Sequence, residues 1–474
     1  YASADKIAVT DIAYDTYGNL QKITGPANHK DQRMTLEYVY DTENHQYMTE
    51  IKDAFGYQNK MEYNYRFGVP IKTTDRNDQS TDYTLDAKGR IATIRAPYEI
   101  ASGKPYTIAY EYFPEAKVPY AKTKNYDPEL DKDIETYTYT DGLGRALQVK
   151  KTASLFTQAG SADQEAHIIS GKVIYDGLGR AITSYYPTTS TTLDNNFSAA
   201  VSTVTPTKTD YDEVNRPIKV TLPDGSSNTT VFALDNYDGL PVLRTTQTDA
   251  LNKTNTTYTD ATGQNVASMQ NDLTTKFDTN ALGEMIKVTD VMDHVTQSSY
   301  DWLGRRIEFT HPDAGTSKME YDLAGNLTTR ITQDIKNTVP NGGAIQYVYN
   351  YNRLESIKYP KNPQNNVQYN YGKADGTASR RGRLWFVQDA SGGQEFFYGK
   401  LGEVEKEIRT LRITPTDIQT YVSQYEYDTW NRIQKMTYPD GEVVEYTYNR
   451  AGNLQSMQGK KESHTYDYIK QLSY

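Results

Sequence analysis

The amino-acid sequence predicts an all-β chain, a coiled sheet of stacked β-hairpins. Three observations carry that expectation: an excess of tyrosine, a turn motif repeated along the chain, and side chains that alternate between successive turns. The 474 residues hold 42 Tyr against 11 Phe and 3 Trp, with 36% hydrophobic residues in all. So low an apolar content would suit disorder, but tyrosine is a strand former that buries its ring and keeps its hydroxyl wet.

The turn motif reads Tyr-Asp-x-x-Gly/Asn-Arg/Asn. It begins at Tyr14-Asp15-x-x-Gly18-Asn19 and recurs at Tyr175-Asp176-x-x-Gly179-Arg180, Tyr211-Asp212-x-x-Asn215-Arg216, Tyr300-Asp301-x-x-Gly304-Arg305, Tyr321-Asp322-x-x-Gly325-Asn326 and Tyr427-Asp428-x-x-Asn431-Arg432. Degenerate copies around Asp86, Asp141, Asp260, Gly283, Gly402 and Gly452 fill the intervals. Tyr300 to Tyr321 and Tyr427 to Tyr448 are both steps of 21 residues, which resolve into two strands and two turns. In the first turn the Asp side chain bonds the backbone two residues on, and Gly or Asn at the fourth position accepts the positive φ of a bulged hairpin turn. The second turn is Pro-Asp-Gly at Pro439-Asp440-Gly441 and Pro223-Asp224-Gly225, where Pro presets the first corner. These are hairpin tips rather than active-site loops.

Alternation assigns the faces. Tyr137 and Tyr139, Tyr347 and Tyr349, and Tyr446 and Tyr448 stand two apart, so each pair projects from one side of its strand. A 21-residue hairpin cannot bury its own face, so the units must stack on one another. One continuous array over residues 1–474 is therefore expected, interrupted by surface-loop insertions near 101–135, 153–170, 188–207 and 373–383, where the composition turns Pro-rich, charged, Ser/Thr-rich or Gly/Arg-rich. The chain opens at Tyr1 without an initiator Met, and a piece of a longer protein is expected.

Several function classes are excluded. Net charge is −10 with Lys and Arg scattered singly, the wrong field for nucleic acid. No apolar run approaches the length of a membrane helix and no signal peptide opens the chain. With no Cys there is no disulfide, thiolate metal site or cysteine nucleophile. The six His show no metal-ligand spacing, and no nucleophile elbow or phosphate loop is present. Asp75-Arg76-Asn77-Asp78 resembles a calcium loop superficially but lacks the following Gly and the distal Glu. Asp15, Asp41, Asp176, Asp212, Asp301, Asp322 and Asp428 share one turn position, so they read as structural rather than catalytic. No cofactor, no metal and no enzyme activity are expected of this stretch. The tyrosines admit a second reading, stacking on sugar rings, in which the chain is an extracellular adhesion or glycan-binding array.

The repeated Tyr-Asp-x-x-Gly-Arg pattern resembles the YD repeat of the rearrangement hot spot (RHS) family, which includes the B and C components of insecticidal toxin complexes, bacterial polymorphic toxins, wall-associated proteins and teneurins. The resemblance runs over residues 10–470. The stretch from Thr140-Asp141 to Lys151, followed by Ser170 to Arg180, is similar to the toxin-complex B-type region. The resemblance implies a β-solenoid or hollow β-shell segment that encloses a toxin polypeptide, with that polypeptide or other toxin-complex subunits as partners and a secreted or bacterial cell-surface location. The family's Asp-Pro-x-Gly-Leu self-cleavage signature has no match, since Asp127-Pro128 is followed by Glu129-Leu130. Self-cleavage and toxicity are therefore not assigned to this chain.

Overall fold

A computed structural model describes residues 7–156, 164–199, 202–339, 343–377 and 379–472. Among these, the strands form two antiparallel sheets of 14 and 25 strands. Within each, nearly every strand pairs with its neighbours in sequence, so turns alternate between the two long edges. The expected single sheet is thus two. After Gln164–Ile169 the hairpin of Val173–Tyr175 and Ala181–Ser184 opens the second sheet, while Thr188–Ser190 returns to pair with Gln164–Ile169 and occupies the edge along which the first would have continued.

The Tyr-Asp turns have the expected bulged form. The register shifts at Tyr175, Tyr211, Tyr300, Tyr321 and Tyr427, and the fourth turn residue is left-handed, with φ of 75° at Gly304 and 61° at Asn431. That conformation favours Gly and Asn.

The segment 101–135, read from composition as a loop insertion, is largely wall. It carries Ile108–Phe113, Tyr120–Asp127 and the start of Lys132–Thr140 in unbroken register. Charged residues are held within these strands by cross-strand pairs, Lys124 with Glu111 and Lys122 with Glu135. In 153–170 the described residues continue Ala146–Leu155 and form Gln164–Ile169, and 157–163 lie outside the described residues. The segment 188–207 contributes Thr188–Ser190 and then a strap, with 200–201 outside the described residues. Residues 373–383, apart from 378, form a turn-rich connection closed by the Gly372↔Arg381 bridge. Two edge connections are short helices, Pro97–Ser102 and Gln333–Thr338. The second is capped by the Thr332 hydroxyl, which accepts from the Ile335 N–H.

Burial is densest under the strap. Ile134, Tyr139, Ala153, Ala166, His167 and Ile169 are buried, and residues 193–198 lie over them. Phe197 meets the Tyr139 ring edge-on, with centroids 5.6 Å apart. Gln148 exchanges two hydrogen bonds with the Ser198 backbone. The buried Lys150 ammonium donates to Asp194 Oδ1 at 2.7 Å and to the Asn196 carbonyl at 2.8 Å. Elsewhere the sheets are a single layer with few fully buried side chains.

Candidate functional site

The repeated turn is a small electrostatic unit. In Asp301, Oδ1 accepts from the N–H groups of Leu303 and Arg305 at 2.9 and 3.0 Å, and Oδ2 accepts from Arg305 Nε at 2.7 Å. Asp176 and Asp212 repeat all three contacts. Asp428 does so with Trp430 and Arg432. At Asp15 and Asp322 the amide of Asn19 or Asn326 stands in for the guanidinium. One carboxylate thus satisfies two turn N–H groups and orients the sixth residue of the motif.

That orientation reaches the next unit. Arg145 lies over the Tyr175 ring, Arg180 over Tyr211, Arg305 over Tyr321 and Arg432 over Tyr448, at 4.3 to 5.0 Å from the ring centroid. Each tyrosine hydroxyl in turn donates to the carbonyl just after the sixth position of the preceding motif: Tyr175 to Ala146, Tyr211 to Ala181, Tyr300 to Met285, Tyr321 to Arg306 and Tyr427 to Val404, at 3.0 to 3.2 Å. The motif therefore ties neighbouring turns side by side along one edge. Tyr14 stands on the first described strand, with no preceding described turn beside it. Replacing Tyr300 by Phe removes one such bond while keeping the ring, and is expected to lower stability by about 1 kcal/mol; a midpoint in urea indistinguishable from the parent would show that the hydroxyl contributes nothing.

The aspartates also set an acid limit. The backbone N–H of Arg145 and that of Arg180, outweighing an opposing push from burial, hold Asp141 and Asp176 below the usual carboxylate range, helped by the arginine side chains. A depressed folded pKa gives stability that is complete above the unfolded value near 4 and is lost as pH falls through the folded value. Thermal midpoints are expected to fall in two stages on acidification: a first decline below about pH 6.5, because burial holds the His167 imidazole against protonation that the unfolded chain accepts, and a second below about pH 4 as the aspartates are lost; a curve flat from about pH 7 to 4 would contradict the first, and no fall below about 4 the second.

The two sheets meet along a seam. Turns on one edge of the 14-stranded sheet face Tyr-Asp-type turns of the 25-stranded sheet, in the same ascending order and between residues 285 to 325 positions apart. The His29 N–H donates to Asp322 and Asn28 Nδ2 to the Tyr351 carbonyl. Tyr57 donates to the Gly372 carbonyl and accepts from Arg353. Arg381 pairs with Asp78, and Tyr98 donates to Glu403. Trp430 Nε1 donates to the Tyr126 carbonyl at 2.9 Å, while Arg450 donates to Glu165 and to the Asp133 carbonyl. A cavity of about 480 Å³ opens on this seam, lined by Phe55, Tyr57, Arg353, Tyr369, Tyr371 and Asp375 among others. Arg353 lies 3.8 Å from the Phe55 centroid.

Residues 112–250 match a family described as a domain of unknown function, DUF6443, and residues 427–461 match the RHS repeat. The stretch 427–461 is thus an RHS repeat. Its fold is that of the crystal structure of TcdB2-TccC3-Cdc42, at a TM-score of 0.79 and 16% identity, covering 98% of this chain and 29% of that one. The Photorhabdus luminescens Tc holotoxin pore carrying a TccC3 mutation matches at 0.78, with the same identity and coverage. The double-stranded DNA deaminase toxin A of Burkholderia cenocepacia is 24% identical across 40% of this chain and 17% of its own length. The chain spans under a third of the length of the proteins it matches.

The motif residues Asp176, Asp212, Asp301 and Asp428 make the same turn contacts. Asp75, read as a weak calcium candidate, instead accepts from the Asn77 and Gln79 N–H groups, and Asp78 pairs with Arg381. Sequence reasoning missed the seam residues Asn28, Tyr57, Tyr98 and Glu165. No local pattern marks them, because their partners are hundreds of residues away. Trp430 and Arg450 occupy the x-x positions of a turn, but Tyr17, Glu213 and Trp302 do so in other copies, so residue type there did not single them out.

Proposed function

We propose that this chain is a wall segment of a hollow β-shell that encapsulates or presents a toxin polypeptide in a secreted bacterial toxin, without itself carrying a chemical step. The observation that supports this most is the seam. A single-layer sheet that returns after about 300 residues to pack against its own earlier turns has the connectivity of a coiling wall. Likeness to toxin-complex structures over 98% of the chain favours the same reading. The rings of Tyr175, Tyr211, Tyr321 and Tyr448 lie under arginines and their hydroxyls are bound to carbonyls, so these rings serve neighbouring turns rather than sugars. No helix among the described residues is long and apolar enough to cross a membrane. The partners on this reading are an enclosed polypeptide and the remaining toxin-complex subunits. Electron microscopy of the full-length protein tests it: a wall around a cavity holding extra density is expected, and a solid, filled sandwich would overturn it.

A further inference from the structure

The motif turns of the 25-stranded sheet all lie on one of its edges, because strands and turns alternate along a meander. From Asp322 to Asn453 that edge is the seam, covered by the turns of the 14-stranded sheet. Among the described residues nothing packs on the same edge, built from the same motif, from Asp176 to Arg305. Its x-x positions carry Leu178, Val214, Leu282, Trp302 and Leu303, between 61% and 77% exposed. At the equivalent position in the seam, Trp430 is part-buried and bonded across to Tyr126. Isolated exposed aliphatic residues need no explanation, but apolar residues recurring in the x-x pair of successive motifs along one edge, directly continuous with an occupied interface, mark an unfilled one.

We propose that the edge from Asp176 to Glu284 docks one further coil of hairpin wall in the same polypeptide, lying outside these 474 residues and preceding them. The seam shows what fits. Its other half is a row of turns offering backbone carbonyls, carboxylates and aromatic rings, and it lies about 300 residues earlier in the chain. Carrying that same interval back from residues 176–284 places the occupant upstream of Tyr1. The proteins that share this fold extend over more than three times its length. This inference rests on the coiling-wall reading above and adds the surface through which the wall continues.

Photo-cross-linking in the full-length protein tests it, with benzoylphenylalanine placed at Leu178, Leu282 and, as a reference, Ala451. Ala451 lies in the seam, where its carbonyl accepts from Lys151, so it is expected to cross-link to the Ala146–Leu155 strand. Leu178 and Leu282 are expected to give intrachain products with turn peptides upstream of Tyr1. If Ala451 reacts as stated while Leu178 and Leu282 join a second copy, a separate protein or nothing, the docking proposal is overturned and the wall reading stands. If Ala451 fails to reach Ala146–Leu155, the coiling wall itself is overturned, and the proposal with it.

Discussion

Replacing Asp428 by Ala is expected to lower stability by about 3–5 kcal/mol, the cost of leaving one member of a buried ion pair without its partner. The Asp428 side chain is fully buried and Arg432 is 13% exposed. The carboxylate holds the Trp430 and Arg432 N–H groups as well as the guanidinium. Arg432 then reaches over Trp430 and Tyr448 and lies 4.0 Å from Asp127 across the seam. Asp428→Asn separates the two roles, because Asn280 and Asn449 hold the same two N–H groups in their own turns. It is expected to keep the turn and lose only the charge, so its cost reports the ion pair and the difference between Asn and Ala reports the turn. Urea denaturation of the two variants checks this; a loss below about 1 kcal/mol for Ala would show that the pair contributes no more than an exposed one.

Lys150→Ala is the second large effect, expected at about 2–3 kcal/mol. The ammonium is buried and holds Asp194 and the Asn196 carbonyl. Asp194 is 38% exposed and rehydrates when freed, which keeps the cost below that of Asp428→Ala. The loss should be local first: amide exchange at 193–198 is expected to accelerate well before the sheets open. Unchanged protection there would mean that Gln148 and Phe197 suffice to hold the strap.

The turn chemistry was legible because it is local. Asp, Gly or Asn, and Arg within six residues fix the bulge, the left-handed corner and the carboxylate's three donors, so Tyr300-Asp301-x-x-Gly304-Arg305 is nearly a structural description in itself. What composition obscured was strand continuity through 101–135. Lys122, Lys124, Glu111 and Glu135 look like loop residues singly, and become strand residues once paired across the ladder. The seam was illegible for a different reason. Asn28 and Tyr351 or Tyr126 and Trp430 are matched by the path of the whole sheet, which no window of sequence records. The division into two sheets likewise depends on Thr188–Ser190 taking an edge that the pattern alone leaves open.

The seam has a consequence for how such a chain can change length. Facing turns ascend together, so each pair is matched by the number of hairpins between its members. Duplicating a 21-residue unit between residues 200 and 300 would slide every later turn by one position, bringing Trp430 and Arg450 opposite the wrong acceptors. Lengthening a hairpin tip on an uncovered edge would disturb no pairing. Growth by whole units is therefore tolerated only beyond the last matched pair, while ornament is tolerated at free tips: the interval between facing turns acts as a gauge that selection would hold constant while the loops drift.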